Sequence, residues 1–153
     1  MIKSYQGERK KKEKELSVKS VKVEDCMTKQ LVTFRPDQLI HEVIEILLEH
    51  NISGGPVVNE NKEVVGIISE GDCMKEVRKG IYDNMPTLSD KVAEFMTTNV
   101  ISILPETNVF EVADLFLEKK IRRFPVIKDG QLLGQISQRD VMKAVMKMKS
   151  ATW

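Results

Sequence analysis

Cysteine and histidine are nearly missing from this chain. Cys26 and Cys73 stand far apart with no C-x-x-C spacing, and His41 and His50 are the only histidines. These four residues cannot supply the ligand pattern of a structural zinc site. The two cysteines read as reduced thiols of a cytoplasmic protein rather than as a disulfide framework. Net charge is missing as well. Lys and Arg number 24 against 23 Asp and Glu, leaving a formal charge of +1 and no long-range field to draw in nucleic acid or an anionic membrane. No apolar run approaches the ~20 residues of a membrane-spanning helix, and the charged N-terminus lacks the apolar stretch of a signal peptide. There is also no nucleophile beside a base and no Gly-rich phosphate loop of the Walker type, so the reading is of a protein that is not an enzyme.

What remains is an ordinary soluble composition, 41% hydrophobic and 31% charged, which fits one globular domain or two small halves sharing a core. Residues 1–20 are read as a charged tail. The run KKKEKE within MIKSYQGERKKKEKELS has too little apolar surface to offset ordering entropy, although Glu–Lys pairs or a partner's acidic face are alternatives for it.

The informative feature is an internal repeat. MTKQLVTFRPDQLIHEVIEILLEHNISGGPVV, starting at Met27, aligns without a gap on MTTNVISILPETNVFEVADLFLEKKIRRFPVI, starting at Met96, at an offset of 69 residues. After one residue is lost from a turn, VVGIISEGDCMKEV aligns on LLGQISQRDVMKAV at an offset of 68, with seven of the fourteen positions identical. Gly66/Gly134, Ser69/Ser137 and Asp72/Asp140 are among the identities.

Each copy reads as strand, helix, strand, strand, helix. Leu31 to Phe34 and Val100 to Leu104 are short apolar strands closed by Pro36 and Pro105. Ile40, Val43, Ile44, Leu47 and Leu48 recur at helical spacing, as do Val109, Val112, Ala113, Phe116 and Leu117. On the first of these helices His41 and His50 fall on the exposed side and are assigned no chemistry. Asn108 with Glu111 resembles a capping box, whereas Leu39 cannot cap, so Asp37 is the substitute expected there. Two hairpins follow, the second turning on Asp129-Gly130. The last helix of each copy opens at Ser69-x-x-Asp72 or Ser137-x-x-Asp140, where hydroxyl and carboxylate can satisfy the first free N–H groups. Lys79 to Asp90 reads as a linker. Neither half buries enough apolar area to stand alone, and pairing of the halves into one core is expected.

The pattern M-T, a strand ending in Pro, a helix, PVV, then G-h-h-S-x-x-D, present twice in order, resembles the CBS (cystathionine β-synthase) domain in tandem, the Bateman module. The copies span 21–78 and 91–150, joined by 79–90. The resemblance implies an α/β (α+β) fold of two β-α-β-β-α repeats packed as a pseudo-two-fold pair through their sheets, with a ligand cleft for each copy. It also implies homodimers, and an adenosine compound as ligand: AMP, ADP, ATP, S-adenosylmethionine or NAD, which the residues do not rank. Such pairs regulate an enzyme or transporter, which here would be a separate polypeptide.

The residues suit that ligand on physical grounds. A ribose presents two adjacent hydroxyls that one carboxylate can accept together, a role for Asp72 and Asp140. Ser69 and Ser137 lie one helical turn earlier, where hydroxyls and helix-start N–H groups suit a phosphate oxygen. For adenine walls, Ile101, Pro125 and the 121–124 segment are the candidates in the second copy, and Val32, Pro56 and Ile52, Ser53 and Gly54 in the first. Arg122 and Arg123 add phosphate donors, or pair with Glu118 and Asp129. The first copy has Ser53-Gly54-Gly55 in place of Arg122-Arg123-Phe124, so the second site is expected to bind more tightly. Against that, the glycines can admit close backbone approach by the ligand. The alternative function is a protein-interaction or dimerisation module with vestigial clefts.

Overall fold

The computed structural model describes residues 21–83 and 88–152. The charged tail and the centre of the linker lie outside the described residues. The elements are α1 (Val23–Cys26), α2 (Ile40–His50), β1 (Gly54–Val58), β2 (Val64–Ser69), α3 (Glu70–Tyr82), α4 (Val92–Phe95), α5 (Val109–Lys119), β3 (Arg123–Lys128), β4 (Gln131–Ser137) and α6 (Gln138–Thr152). β1 pairs antiparallel with β2, and β3 with β4, as two two-stranded sheets. No helix among the described residues is long and apolar enough to cross a membrane.

The two hairpins explain the residue lost between the copies. Asp129 and Gly130 both have positive φ, 52° and 77°, as a two-residue turn that matches strand twist requires. The longer 59–63 loop is closed by Asn59, whose Oδ1 accepts from the N–H groups of Asn61 and Glu63 at 3.0 Å each. A register shift between Val57 and Val58 accompanies it.

The strands expected at Leu31–Phe34 and Val100–Leu104 contract to one parallel bridge apiece, Phe34 with Val57 and Ile103 with Val126. Phe34 N–H donates to Pro56 O at 2.9 Å and its carbonyl accepts from Val58 N–H at 2.8 Å; Ile103 does the same with Pro125 and Ile127, both at 3.0 Å. Two residues later Pro36 and Pro105 have no N–H to extend the ladder.

The compact units cut across the sequence repeats. One contains residues 30–101 and the tip of the second hairpin, 129–132; the other contains residues 21–29, 102–128 and 133–152. The short segment that leads each copy therefore belongs to the body of the other copy. In the second unit, Val23 N–H donates to Thr107 O, Glu24 N–H to Pro105 O and Val109 N–H to Val21 O, at 2.8 to 3.0 Å. In the first unit the repeat-related bonds run from Val92 to Gln38, Ala93 to Pro36 and Ile40 to Asp90, at 2.9 to 3.0 Å.

This exchange replaces the single shared core expected from the sequence with two core clusters. Val23 joins Ile103, Val109, Val112, Phe116, Phe124, Val126, Ile136 and Val141. Val92 joins Phe34, Ile40, Val43, Leu47, Val57, Ile68 and Cys73. The physical cause is that α1 and α4 are single turns, too short to be stable unless their apolar side chains are buried elsewhere. The exchange also accounts for the repeated glycine. A Cβ on Gly66 would lie 2.9 Å from Thr97 O, and one on Gly134 2.7 Å from Thr28 O, so the crossing of each leading segment over β2 or β4 requires glycine.

Asn108 caps α5 by accepting from Phe110 N–H at 2.8 Å. The substitute expected at α2 is not used: Asp37 pairs with Arg35 at 3.3 Å, and the free N–H groups of Ile40 and His41 donate to Asp90 O and Leu88 O, both at 3.0 Å.

Candidate functional site

Each Ser-x-x-Asp pair forms a reciprocal cap at the start of the last helix of its copy. In the first unit Ser69 N–H donates to Asp72 Oδ2 at 2.9 Å, Ser69 Oγ donates to the same oxygen at 3.0 Å, and Asp72 N–H donates back to Ser69 Oγ at 3.4 Å. In the second unit the corresponding distances about Ser137 and Asp140 are 3.0, 3.0 and 3.2 Å. The serine hydroxyls are thus directed at the carboxylates. Glu70 N–H, at the start of α3, is taken by Ser53 O at 2.9 Å.

The two carboxylates differ in surroundings. Asp72 is 5% exposed, and its Oδ1 lies 3.7 Å from Lys75 Nζ. Asp140 is half-buried, and its second oxygen is met by a neutral group from the other copy, Thr28 Oγ1, at 3.2 Å. The sequence reading did not single out Thr28. The repeated Met-Thr at the head of each copy was its only signal.

A cavity of about 350 Å³ opens beside Asp140 between the leading segment and α6, lined also by Asp25, Cys26, Met27, Lys143 and Lys147. The first unit has a cavity of about 350 Å³ between α2 and α3. Its walls are Ile44, Leu47, Leu48, Ile52, Cys73 and Met74, with Asn51 and Glu70, so it takes in Ile52 but not Ser69 or Asp72.

Among the other candidate residues, Pro125 and Phe124 are buried, Arg123 is half-buried and Arg122 is exposed. Ile101 is 38% exposed and falls in the first unit, whereas Ser137 and Asp140 are in the second. In the first copy Gly54 and Pro56 are buried, and Val32, Ile52 and Ser53 are half-buried. The glycines there are filled by the protein's own chain. A Cβ on Gly55 would meet Val32 O at 2.7 Å and the Phe34 ring at 3.0 Å, and one on Gly54 would meet Ile68 O at 2.5 Å. The copies have exchanged bulk: Phe34 over Gly55 in one corresponds to Ile103 and Phe124 in the other, and Phe124 stacks on Phe116 with ring centroids 4.8 Å apart.

Neither thiol is set up for chemistry. Burial, reinforced by Asp140 and Asp25, pushes Cys26 up to about 11, and burial with Asp72 and Glu76 does the same for Cys73, so both remain protonated at neutral pH. No group of three or more His, Cys, Asp or Glu able to hold a metal ion occurs among the described residues.

The family model for the CBS domain matches the chain twice, over residues 23–79 and 92–147. CBSX2 of Arabidopsis thaliana, solved in complex with AMP, is 30% identical, with a TM-score of 0.74 over 84% of this chain and 98% of that one. The CBS domain pair of protein MJ0100, solved in complex with 5′-methylthioadenosine and S-adenosyl-L-methionine, is 28% identical, with a TM-score of 0.68 over 84% of this chain and 98% of that one. Inosine-5′-monophosphate dehydrogenase of Aquifex aeolicus is 32% identical over 135 residues, 87% of this chain. The chain spans 26% of that dehydrogenase's length, and 41% of the length of protein MJ1225 of Methanocaldococcus jannaschii, to which it is 28% identical over 121 residues.

Proposed function

The chain belongs to the CBS-domain family, carrying the domain twice in tandem, and from that premise we propose that it is a non-catalytic regulatory module that binds an adenosine compound. The observation that carries the reading is Asp140: a half-buried carboxylate at a helix start, held by Ser137 and Thr28 at the edge of a cavity of about 350 Å³. Such a group can accept both hydroxyls of a ribose. The reading draws further support from two similar CBS pairs that were solved with AMP and with S-adenosyl-L-methionine. In this reading Ser137, Asp140, Arg122, Arg123 and Pro125 serve the second site, and Ser69, Asp72, Ile52, Ser53, Gly54, Pro56 and Val32 the first.

The second site is the tighter one. Asp72 is 5% exposed and already faces a lysine, and the close approaches of Gly54 and Gly55 are used by the chain itself. Occupancy shifts the population of conformations that a partner reads. The resemblance to that dehydrogenase over part of its length supports an enzyme as the partner that reads the change.

The test is a thermal-shift screen of AMP, ADP, ATP, NAD and S-adenosylmethionine on ligand-free protein, followed by titration calorimetry. A ligand at 100 times its Kd adds about 2.7 kcal/mol of stability. Asp140→Ala should abolish most of the shift and Asp72→Ala less of it. A flat response to all five compounds would turn the reading towards an interaction module with silent clefts.

A further inference from the structure

We infer that Thr28, a residue of the first copy, is a positioning residue of the second copy's ligand site; the inference rests on the nucleotide-binding reading above. A carboxylate that accepts two adjacent hydroxyls must present both oxygens in a fixed plane. Ser137 pins only one of them, since its N–H and its Oγ both donate to Asp140 Oδ2, each at 3.0 Å. The other oxygen is held by Thr28 Oγ1, which lies 3.2 Å from Oδ1 and 3.4 Å from Oδ2. Without that hydroxyl the carboxylate is free to pivot about Oδ2.

Thr28 is itself held where it can do this. Its N–H and carbonyl both pair with Gln135 at 2.9 Å, on the same strand that ends in Ser137. The crossing is close enough that residue 134 must be glycine. Thr28 is exposed, so its hydroxyl is reachable by a ligand on Asp140. Donor and acceptor are 112 residues apart in sequence, and only the exchange of leading segments joins them.

The first copy provides an internal comparison. Thr97 crosses β2 in the same way, with bonds of 2.9 and 2.8 Å to Ile67, yet the outer oxygen of Asp72 faces Lys75 Nζ at 3.7 Å. A neutral hydroxyl orients a carboxylate without cancelling its charge, whereas a lysine offsets it. Lys143, the counterpart of Lys75, lines the cavity beside Asp140 and is not ion-paired among the described residues. Thr28 thus gives Asp140 a neutral orienting partner where Asp72 meets a cation.

The experiment is AMP titration by calorimetry on the full chain as wild type, Thr28→Val, Thr28→Ser, Thr97→Val and Asp140→Ala, repeated with S-adenosylmethionine. Loss of one hydrogen bond to a charged group should weaken the tighter site about tenfold in Thr28→Val. Thr28→Ser, which restores the hydroxyl, should recover wild-type affinity, and Thr97→Val should leave that site unchanged. Recovery by Ser separates the hydroxyl's role from a packing defect. Equal or tighter binding by Thr28→Val, with binding still lost in Asp140→Ala, would overturn the positioning role and make Thr28 at most a competitor for the carboxylate, leaving the nucleotide reading intact. Failure of the wild type to bind either of these compounds, or ADP, ATP or NAD, would overturn both.

Discussion

Glu76 shows how the environment of one residue sets a property of the whole fold. It is 4% exposed; its Oε1 accepts from Asp90 N–H at 3.1 Å, and its Oε2 meets no partner among the described residues. Burial raises its pKa above the ordinary 4.5, and the bond from Asp90 offsets only part of that rise. Between 4.5 and the raised value the folded state keeps a proton that the unfolded chain has released. The contribution to stability is therefore present in full below pH 4.5 and is lost as pH rises through the folded-state pKa. Glu76→Gln, which stays neutral, should show a shallower decline than the wild type in urea melts run from about pH 4 to about pH 7. Parallel curves for the two proteins would mean that Glu76 ionises alike in both states. At the same scale, the Ser-x-x-Asp pairs were legible because they recur in register with Gly66 and Gly134. Thr28 was not, because its partner Asp140 is met only through the tertiary fold.

Among the elements, α2 and α5 are repeat-related helices of eleven residues each whose starts are satisfied in different ways. Both take a carbonyl from a leading segment or linker, Val21 for α5 and Asp90 for α2, but α5 also has the Asn108 side-chain cap, whereas α2 has none and uses Leu88 O as well. Asn108→Ala should accordingly cost about 1 kcal/mol in chemical denaturation. Asp37→Ala should stay within about 0.5 kcal/mol, because among the described residues Asp37 pairs with Arg35 on an exposed surface. A comparable loss at Asp37 would restore it as the cap. The helical periodicity and the Asp129-Gly130 turn were readable locally, since both depend on neighbours in sequence. The acceptors that satisfy the start of α2 were not, because the carbonyls of Leu88 and Asp90 arrive from the far end of the linker.

At the scale of the whole molecule, several of the most exposed apolar residues fall on repeat-related helices of the two copies. Leu48 is 77% exposed and Met74 57% on α2 and α3; Leu117 is 79% and Met142 and Met146 62% on α5 and α6. Side chains of this size left in water are what the homodimer implied by the family resemblance would be expected to bury. The homodimer that the family resemblance implies should appear in sedimentation velocity, and Leu48→Glu combined with Leu117→Glu should convert it to monomer with little change in melting temperature, since both positions are largely exposed in the single chain. A wild-type protein that sediments as a monomer at micromolar concentration would rule out that expectation.

The sequence by itself determined the repeat, the order of the main helices and hairpins in each copy, the tight second turn and the Ser–Asp pairs, because each element depends on residues within a few positions of one another and all but the turn are written twice. Tertiary structure alone decided which body each leading segment joins, that there are two cores, that the first strand of each copy is a single bridge, and that Asp140 and Asp72 face a hydroxyl and a lysine respectively. Those outcomes depend on contacts between residues tens of positions apart. Their free energies come from burial and backbone pairing across the copies, and no local pattern records them.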